Sequence, residues 1–279
     1  MSHAPTRTTD PDSEPFTKSL ERMNRFQEPE ARALIADLEL AQGSRGLDAG
    51  CGVGLYALWL AEAIGPQGRV VGIEPTVERV EAARALVGNG RLEFRPGDAT
   101  AVPTADATFD WVWCGDVLHH IPETGRALAE FARVLRPGGR LIVKESQLLH
   151  GLFLPGHPAL ERRLRQAEME WSRHEGGEFS FEERRQRTLA SMRAAGFRID
   201  GFRTYLLERR APLPDSARDY IQRVVFQRNW GPRLRDRLTA ADWELRSTLC
   251  EADSPDFLLD DRDYYCLYPI TVICAGRSP

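Results

Sequence analysis

The stretch "LDAGCGVGLYALWL", residues 47–60, runs from an apolar entry through three glycines spaced two apart to an apolar, helix-like exit. Glycine has no Cβ, so Gly50, Gly52 and Gly54 let backbone turn tightly, approach a ligand closely and aim free N–H groups at it. Placed between a strand and a helix, the stretch reads as the first turn of a βαβ unit. An ordinary tight turn has the same look, so the neighbouring segments decide its meaning.

Working outward, residues 45–146 alternate short apolar runs with amphipathic segments, which is the sign of a parallel sheet wrapped by helices. The strands are "RGLDAG", "RVVGIEP", "RLEFRPG", "FDWVWCGD" and "RLIVKES", with helices near 54–64, 76–88 and 123–136. "RPGG" at 136–139 reads as a helix stop followed at once by a strand. After residue 146 the pattern predicts helices over 158–175 and 181–195, then a sixth strand in "RIDGFRTYLLER". A helical stretch rich in Arg and Trp follows, and a last strand lies in "YYCLYPITVICAGR". The expectation is an α/β, doubly wound, mostly parallel sheet with helical inserts. Its parts are a disordered tail (1–13), a helical lid (14–41), a ligand-binding core (42–150), helices with the sixth strand (151–210), a helical cap over the substrate (211–262) and the last strand (263–279).

Composition narrows the function classes. A net charge of -4 gives no reason to expect a nucleic-acid partner. Five cysteines, Cys51, Cys114, Cys250, Cys266 and Cys274, form no CxxC pair, which fits neither a disulfide framework nor a thiolate metal site. No HExxH or Cys/His cluster points to a metal. The start has no apolar signal core and no stretch is apolar for long enough to span a bilayer, so the expectation is a cytoplasmic protein with no membrane partner.

Glu74 ends the second strand twenty positions after Gly54, where a carboxylate can accept the hydroxyl hydrogens of a ribose. Turn and acid together point to an adenosine-bearing cofactor, either a nicotinamide dinucleotide or S-adenosylmethionine. The Tyr-x-x-x-Lys pair of short-chain dehydrogenases is impossible, because neither Lys18 nor Lys144 has a tyrosine four positions earlier.

"LDAGCGVG", "VVGIEP", "RPGDA", "FDWVWCGDVLHHIPE" and "RVLRPGGRLIVKE", in this order, resemble the class I S-adenosylmethionine-dependent methyltransferases of the small-molecule type. The resemblance extends over about residues 30–205. It implies a seven-stranded Rossmann-like sheet with an antiparallel last strand, S-adenosylmethionine as cofactor, and methyl transfer to a small-molecule metabolite by direct displacement. By the same resemblance Gly50, Cys51, Gly52 and Gly54 shape the cofactor turn, and Asp48 organises the methionine amino end. Glu74 holds the ribose, Pro75 lies against the adenine, and Asp98 with the Ala99 N–H reads the adenine edge. Cys114 and Gly115 offer backbone carbonyls to the ammonium. A nicotinamide-dependent oxidoreductase and a non-catalytic cofactor-binding scaffold are the alternatives.

Ligands of open α/β sheets sit beyond the carboxyl ends of the strands, so Asp116, His119, His120, Glu145 and Ser146 should face the acceptor. His119 or His120 is the candidate base, a role worth ~10²–10⁴-fold; packing at the strand-to-helix junction is the competing reading. Trp171, Trp230, Trp243, Phe226 and Tyr220 either roof a pocket or fill a core. Phe16, Met23, Arg25 and Phe26 would form the lid. No motif specifies the acceptor, the methylated atom or the oligomeric state.

Overall fold

The computed structural model describes residues 16–86, 90–146, 148–176 and 180–277; the tail expected at 1–13 lies outside them. The alternating segments become seven strands: β1 (Arg45–Ala49), β2 (Arg69–Glu74), β3 (Leu92–Pro96), β4 (Phe109–Gly115), β5 (Leu135–Ser146), β6 (Phe197–Arg210) and β7 (Tyr265–Arg277). They form one sheet in the order β3-β2-β1-β4-β5-β7-β6. Strands β1 to β5 pair in parallel, and β7 runs antiparallel to both β5 and β6.

The central strands read as continuous apolar runs because both faces of the sheet are covered. On one face Leu47, Val112, Val143 and Ile273 pack with Leu128 and Phe131 of α4 (Thr124–Val134). On the other, Val70, Trp111, Trp113 and Ile142 meet α1 (Phe16–Asp37) and α2 (Leu55–Ala63). Strand order reverses between β1 and β4, which opens a crevice at their carboxyl ends. The helices α3 (Val77–Ala85), α5 (Pro158–Gly176) and α6 (Phe181–Ala194) complete the core. Ser180 starts α6 with a capping box: its hydroxyl accepts from Glu183 N at 3.2 Å, and the Glu183 carboxylate accepts from Ser180 N at 2.8 Å.

Two expectations are corrected here. "RPGG" is a bulge inside β5 and not a stop before it: Leu135 already pairs with Phe109, and Arg140 is the next residue to pair, opposite Trp111. Burial of Leu135 starts the strand early, while Gly138, at φ +78°, takes the extra residues out of the ladder. Within the segment 14–41 the described helix ends at Asp37, and its second half belongs to the core through Phe26, Gln27, Ala31, Leu34 and Ile35. Arg25 turns outward to Glu21, so only the first two turns can act as a lid.

Of the two readings of Tyr220, Phe226 and Trp230 in the 211–262 segment, core packing is the one observed, since all three are buried. Tyr220 stacks on Phe26 with ring centroids 4.5 Å apart. The segment holds α7 (Asp215–Asp219), a π-helix (Tyr220–Asn229) and α8 (Ala240–Cys250). A π-helix leaves carbonyls without their usual partners, and buried Arg246 donates to Trp230 O at 2.8 Å and to Phe226 O. Trp171 and Trp243 lie beneath Arg233 and Arg246. Among the described residues no helix is long and apolar enough to cross a membrane.

Candidate functional site

The three glycines after β1 all have positive φ: +80° at Gly50, +53° at Gly52 and +84° at Gly54. A Cβ on Gly50 would stand 2.4 Å from a Val117 methyl, and one on Gly54 would stand 2.8 Å from the Phe94 ring. The turn is tied to β2 by Gly50 N and Cys51 N, which both donate to Ile73 O at 2.8 and 3.0 Å. Gly52 N donates to Glu74 Oε2 at 3.2 Å, so the bend and the acid twenty positions beyond Gly54 are directly bonded. Cys51 is buried beside them, and burial holds its thiol protonated.

Asp48, only 1% exposed, ends in an Oδ2 with no hydrogen-bond partner. Burial, with the Glu74 carboxylate nearby, pushes its carboxyl up to about 8. Between pH 4 and 8 the native state therefore keeps a proton that the unfolded chain has lost, and stability falls as pH rises through that window. Asp48→Asn should reduce this slope, to which buried Glu145 adds with the same sign, when Tm is followed from pH 5 to 8.5; an unchanged slope would remove Asp48 as a source.

The second oxygen of Glu74 accepts from Thr76 N at 3.2 Å and Arg79 Nη1 at 3.0 Å. Arg79 also lies 4.7 Å over the Phe16 ring, which joins the first turn of α1 to the same carboxylate. Pro75, next in the chain, is exposed. Asp98 is exposed and turns one oxygen to its own loop, accepting from Thr100 N at 2.7 Å and Thr100 Oγ1 at 2.8 Å, while Ala99 is buried. Cys114 and Gly115 end β4; burial raises the Cys114 thiol, and a Cβ on Gly115 would meet Trp113 Nε1 at 2.8 Å.

Beyond β4 the chain turns at Asp116 with φ +55°, a strained value for a non-glycine residue. Its carboxylate accepts from Ser146 N at 2.6 Å, from Ser146 Oγ at 2.8 Å and from the Lys144 ammonium. Lys144 is 1% exposed, donates to Gln27 Oε1 at 2.7 Å and lies 5.0 Å over the Tyr56 ring. Gln27 accepts from Tyr56 Oη at 2.9 Å and donates to Ser146 Oγ and Tyr268 Oη. Burial opposes charge on both members of the ion pair, yet each holds the other ionised: Asp116 far below the usual carboxylate range, Lys144 above its ordinary value. These groups saturate one another and form a rigid wall.

His119 and His120 occupy a single 3-10 turn, Leu118–His120. His119 is buried: Nδ1 is 2.8 Å from Glu145 Oε2, Nε2 is 3.0 Å from Arg185 Nη2, and its carbonyl accepts from Arg184 Nε at 2.7 Å. His120 is exposed, with its ring centroid 4.1 Å from that of His119 and 4.7 Å from that of Phe181. Glu145 is fully buried, its Oε1 has no partner, and burial with the Asp116 charge pushes it up to about 8. The structure thus gathers Asp48, the glycines and Glu74 on one side of the crevice, and Asp116, His119, Glu145 and Ser146 on the other. Gln27, Arg79, Phe181 and Arg185 join them without any motif to announce them, and Tyr56 and Lys144 join them from inside quoted motifs that assign them no role. Among the described residues no group of three or more His, Cys, Asp or Glu could hold a metal ion.

The family described as "Methyltransferase domain" matches residues 47–143. Methyltransferase GfsG of Streptomyces halstedii is 37% identical over 141 residues, which are 49% of this chain and 48% of that protein. Demethylmenaquinone methyltransferase of Halalkalibacterium halodurans is 33% identical over 112 residues, 39% of this chain and 46% of that one. The chain thus spans less than half the length of these curated relatives. The solved structure of YcgJ from Bacillus subtilis, at 21% identity and a TM-score of 0.58 over 90% of this chain and 99% of that one, shares the fold. Residues 47–143, which include the glycine turn and Glu74, are thus similar to a methyltransferase domain.

Proposed function

We propose that this protein moves a methyl group from S-adenosylmethionine to a small-molecule acceptor. The observation that carries the reading is the buried, unpartnered Asp48 Oδ2 beside a glycine turn whose own N–H is bonded to Glu74. An unpaired buried carboxyl costs stability unless a ligand satisfies it, and an amino-acid ammonium is the complementary group. At Gly50 and Gly54 any side chain would collide with the turn's own supports, and Gly52 lacks a side chain where the bend faces Leu20 of α1, so backbone is left to meet the ligand. The residues therefore fit the amino-acid end and the ribose of this cofactor.

When bound, S-adenosylmethionine supplies a methyl carbon on a sulfonium: the acceptor's electron pair forms the new bond as the carbon–sulfur pair returns to sulfur. The chain's task is alignment, and fixing reactants in line can supply ~7–11 kcal/mol. Asp48 would hold the ammonium, and Glu74 would take a ribose hydroxyl on the oxygen shared with Gly52 N. Asp98 with Ala99 would meet the adenine edge beside Pro75, and the carbonyls of Cys114 and Gly115 would face the ammonium. The saturated Lys144–Asp116–Ser146 wall would fix the acceptor side without offering a loose proton. A small organic acceptor is the class named for the demethylmenaquinone enzymes, and we extend that class, not that compound, to this chain.

Glu74→Ala should weaken S-adenosylmethionine binding by more than about tenfold in calorimetry, since each lost charge-assisted hydrogen bond is worth ~1.5–3 kcal/mol. Unchanged affinity would strip Glu74 of its role.

A further inference from the structure

We infer that the two adjacent histidines have opposite roles: His120 alone presents a free ring nitrogen to the crevice as the proton acceptor, and Arg185, acting through His119, is the positioning residue. The inference rests on the methyl-transfer reading. Its first half follows from donor counting. A guanidinium only donates hydrogen bonds, so the Nε2 of His119, 3.0 Å from Arg185 Nη2, must be the accepting nitrogen. The single ring hydrogen is then on Nδ1 and is donated to Glu145 Oε2 at 2.8 Å. No lone pair of His119 is left for substrate, and a second ring proton would meet the guanidinium head-on. Burial and the Arg185 charge accordingly hold its pKa well below the ordinary value.

The backbone of the same turn is fixed from the same helix, because Arg184 Nε donates to the His119 carbonyl. The next residue is therefore delivered outward. His120 stands edge-on to Phe181, the first residue of α6, and is open to solvent. Four charged or titratable groups act on it: His119 from its own turn, Asp116 from the end of β4, Arg185 from α6 and Arg79 from α3. Asp116 borders the acceptor wall, and Arg79 is the partner of the ribose-side acid Glu74. His120 thus feels charges from both the ribose-side and the acceptor-side groups while its ring rests against His119 and Phe181. Desolvation within the turn, helped by His119, Arg185 and Arg79 and opposed by Asp116, holds its pKa well below the ordinary value, so its lone pair is available. In the reaction the acceptor's proton moves to this nitrogen, and the electron pair it leaves stays on the acceptor atom that bonds to the methyl carbon.

Diethyl pyrocarbonate tests the arrangement on the intact chain, since it acylates only unprotonated, accessible imidazole nitrogens, and peptide mass spectrometry reads each histidine separately. His120 should be labelled, and His119 should lag by roughly a hundredfold because its reaction must await local opening. Saturating S-adenosylhomocysteine should slow labelling of His120 by about tenfold, in proportion to site occupancy. Arg185→Gln should expose Nε2 and bring His119 up to a measurable rate, whereas Arg185→Lys, which keeps a donor there, should restore protection. Labelling of His119 as fast as His120 in the unaltered protein overturns the assignment, whether or not the variants fold. Undiminished His120 labelling with S-adenosylhomocysteine bound, as monitored by calorimetry, removes His120 from the crevice. If calorimetry finds no binding at all, the methyl-transfer reading fails and the base role falls with it, while the contrast between the two rings still decides the locked tautomer.

Discussion

Gly50→Ala should weaken S-adenosylmethionine binding while leaving a folded protein of reduced stability. The added methyl would stand 2.4 Å and 2.9 Å from the two Val117 methyls, and the residue would have to keep φ +80°. The left-handed conformation costs about 1–2 kcal/mol for an L-residue, and overpacking of this kind costs about 1–3 kcal/mol more. Val117 lies between Asp116 and the histidine turn, so the displacement reaches both sides of the crevice at once. Calorimetric affinity should drop by about five- to seventyfold if half of that strain falls on the bound state. Gly52→Ala is the control. Its Cβ meets only Leu20 at 3.5 Å, so it carries the conformational cost at φ +53° without the collision. Wild-type affinity in Gly50→Ala would refute the close-approach account of the turn.

Lys144→Met should be the most destabilising single change on the acceptor side. It removes the cation from Asp116 and from Gln27 Oε1 in a site closed to water. Breaking one member of a buried ion pair costs about 3–5 kcal/mol, because the remaining charge has no compensation. For a chain of this size that corresponds to a Tm lowered by about 10 °C. The pH dependence has a definite sign. Asp116 is held ionised well below the usual range, so its contribution is present above its unfolded pKa of about 3.9 and is lost as pH falls through the native value. The gap between wild type and Lys144→Met is therefore widest near neutrality and narrows in acid. A gap independent of pH would show that Lys144 acts by packing alone. Lys144→Arg should not restore stability, since a planar fork cannot reproduce a compact ammonium held between Asp116, Gln27 and the Tyr56 ring.

Much of the cofactor half is legible in the chain because its rules are local. A glycine run after an apolar strand, and an acid at the end of the next strand, constrain each other through a single turn, and Gly52 N does meet Glu74. Strand identities follow for the same reason: period and punctuation act over a few residues, and all seven predicted strands form. "RPGG" misleads because the same residues serve a stop or a bulge, and pairing of Leu135 with Phe109 decides between them.

The acceptor half depends on partners far apart in the chain. Lys144 meets Gln27 across 117 positions, and Arg185 meets His119 across 66. Adjacent histidines look interchangeable in a string of letters, and only α6, docking against their turn, gives one two bonds and leaves the other open. What the sequence determined alone is the strand–turn–helix order and the glycine bend after β1, because neighbours along the chain set backbone conformation. What tertiary structure decided is which polar side chains are satisfied and which face the crevice, because burial and hydrogen bonding depend on whatever segment packing brings alongside.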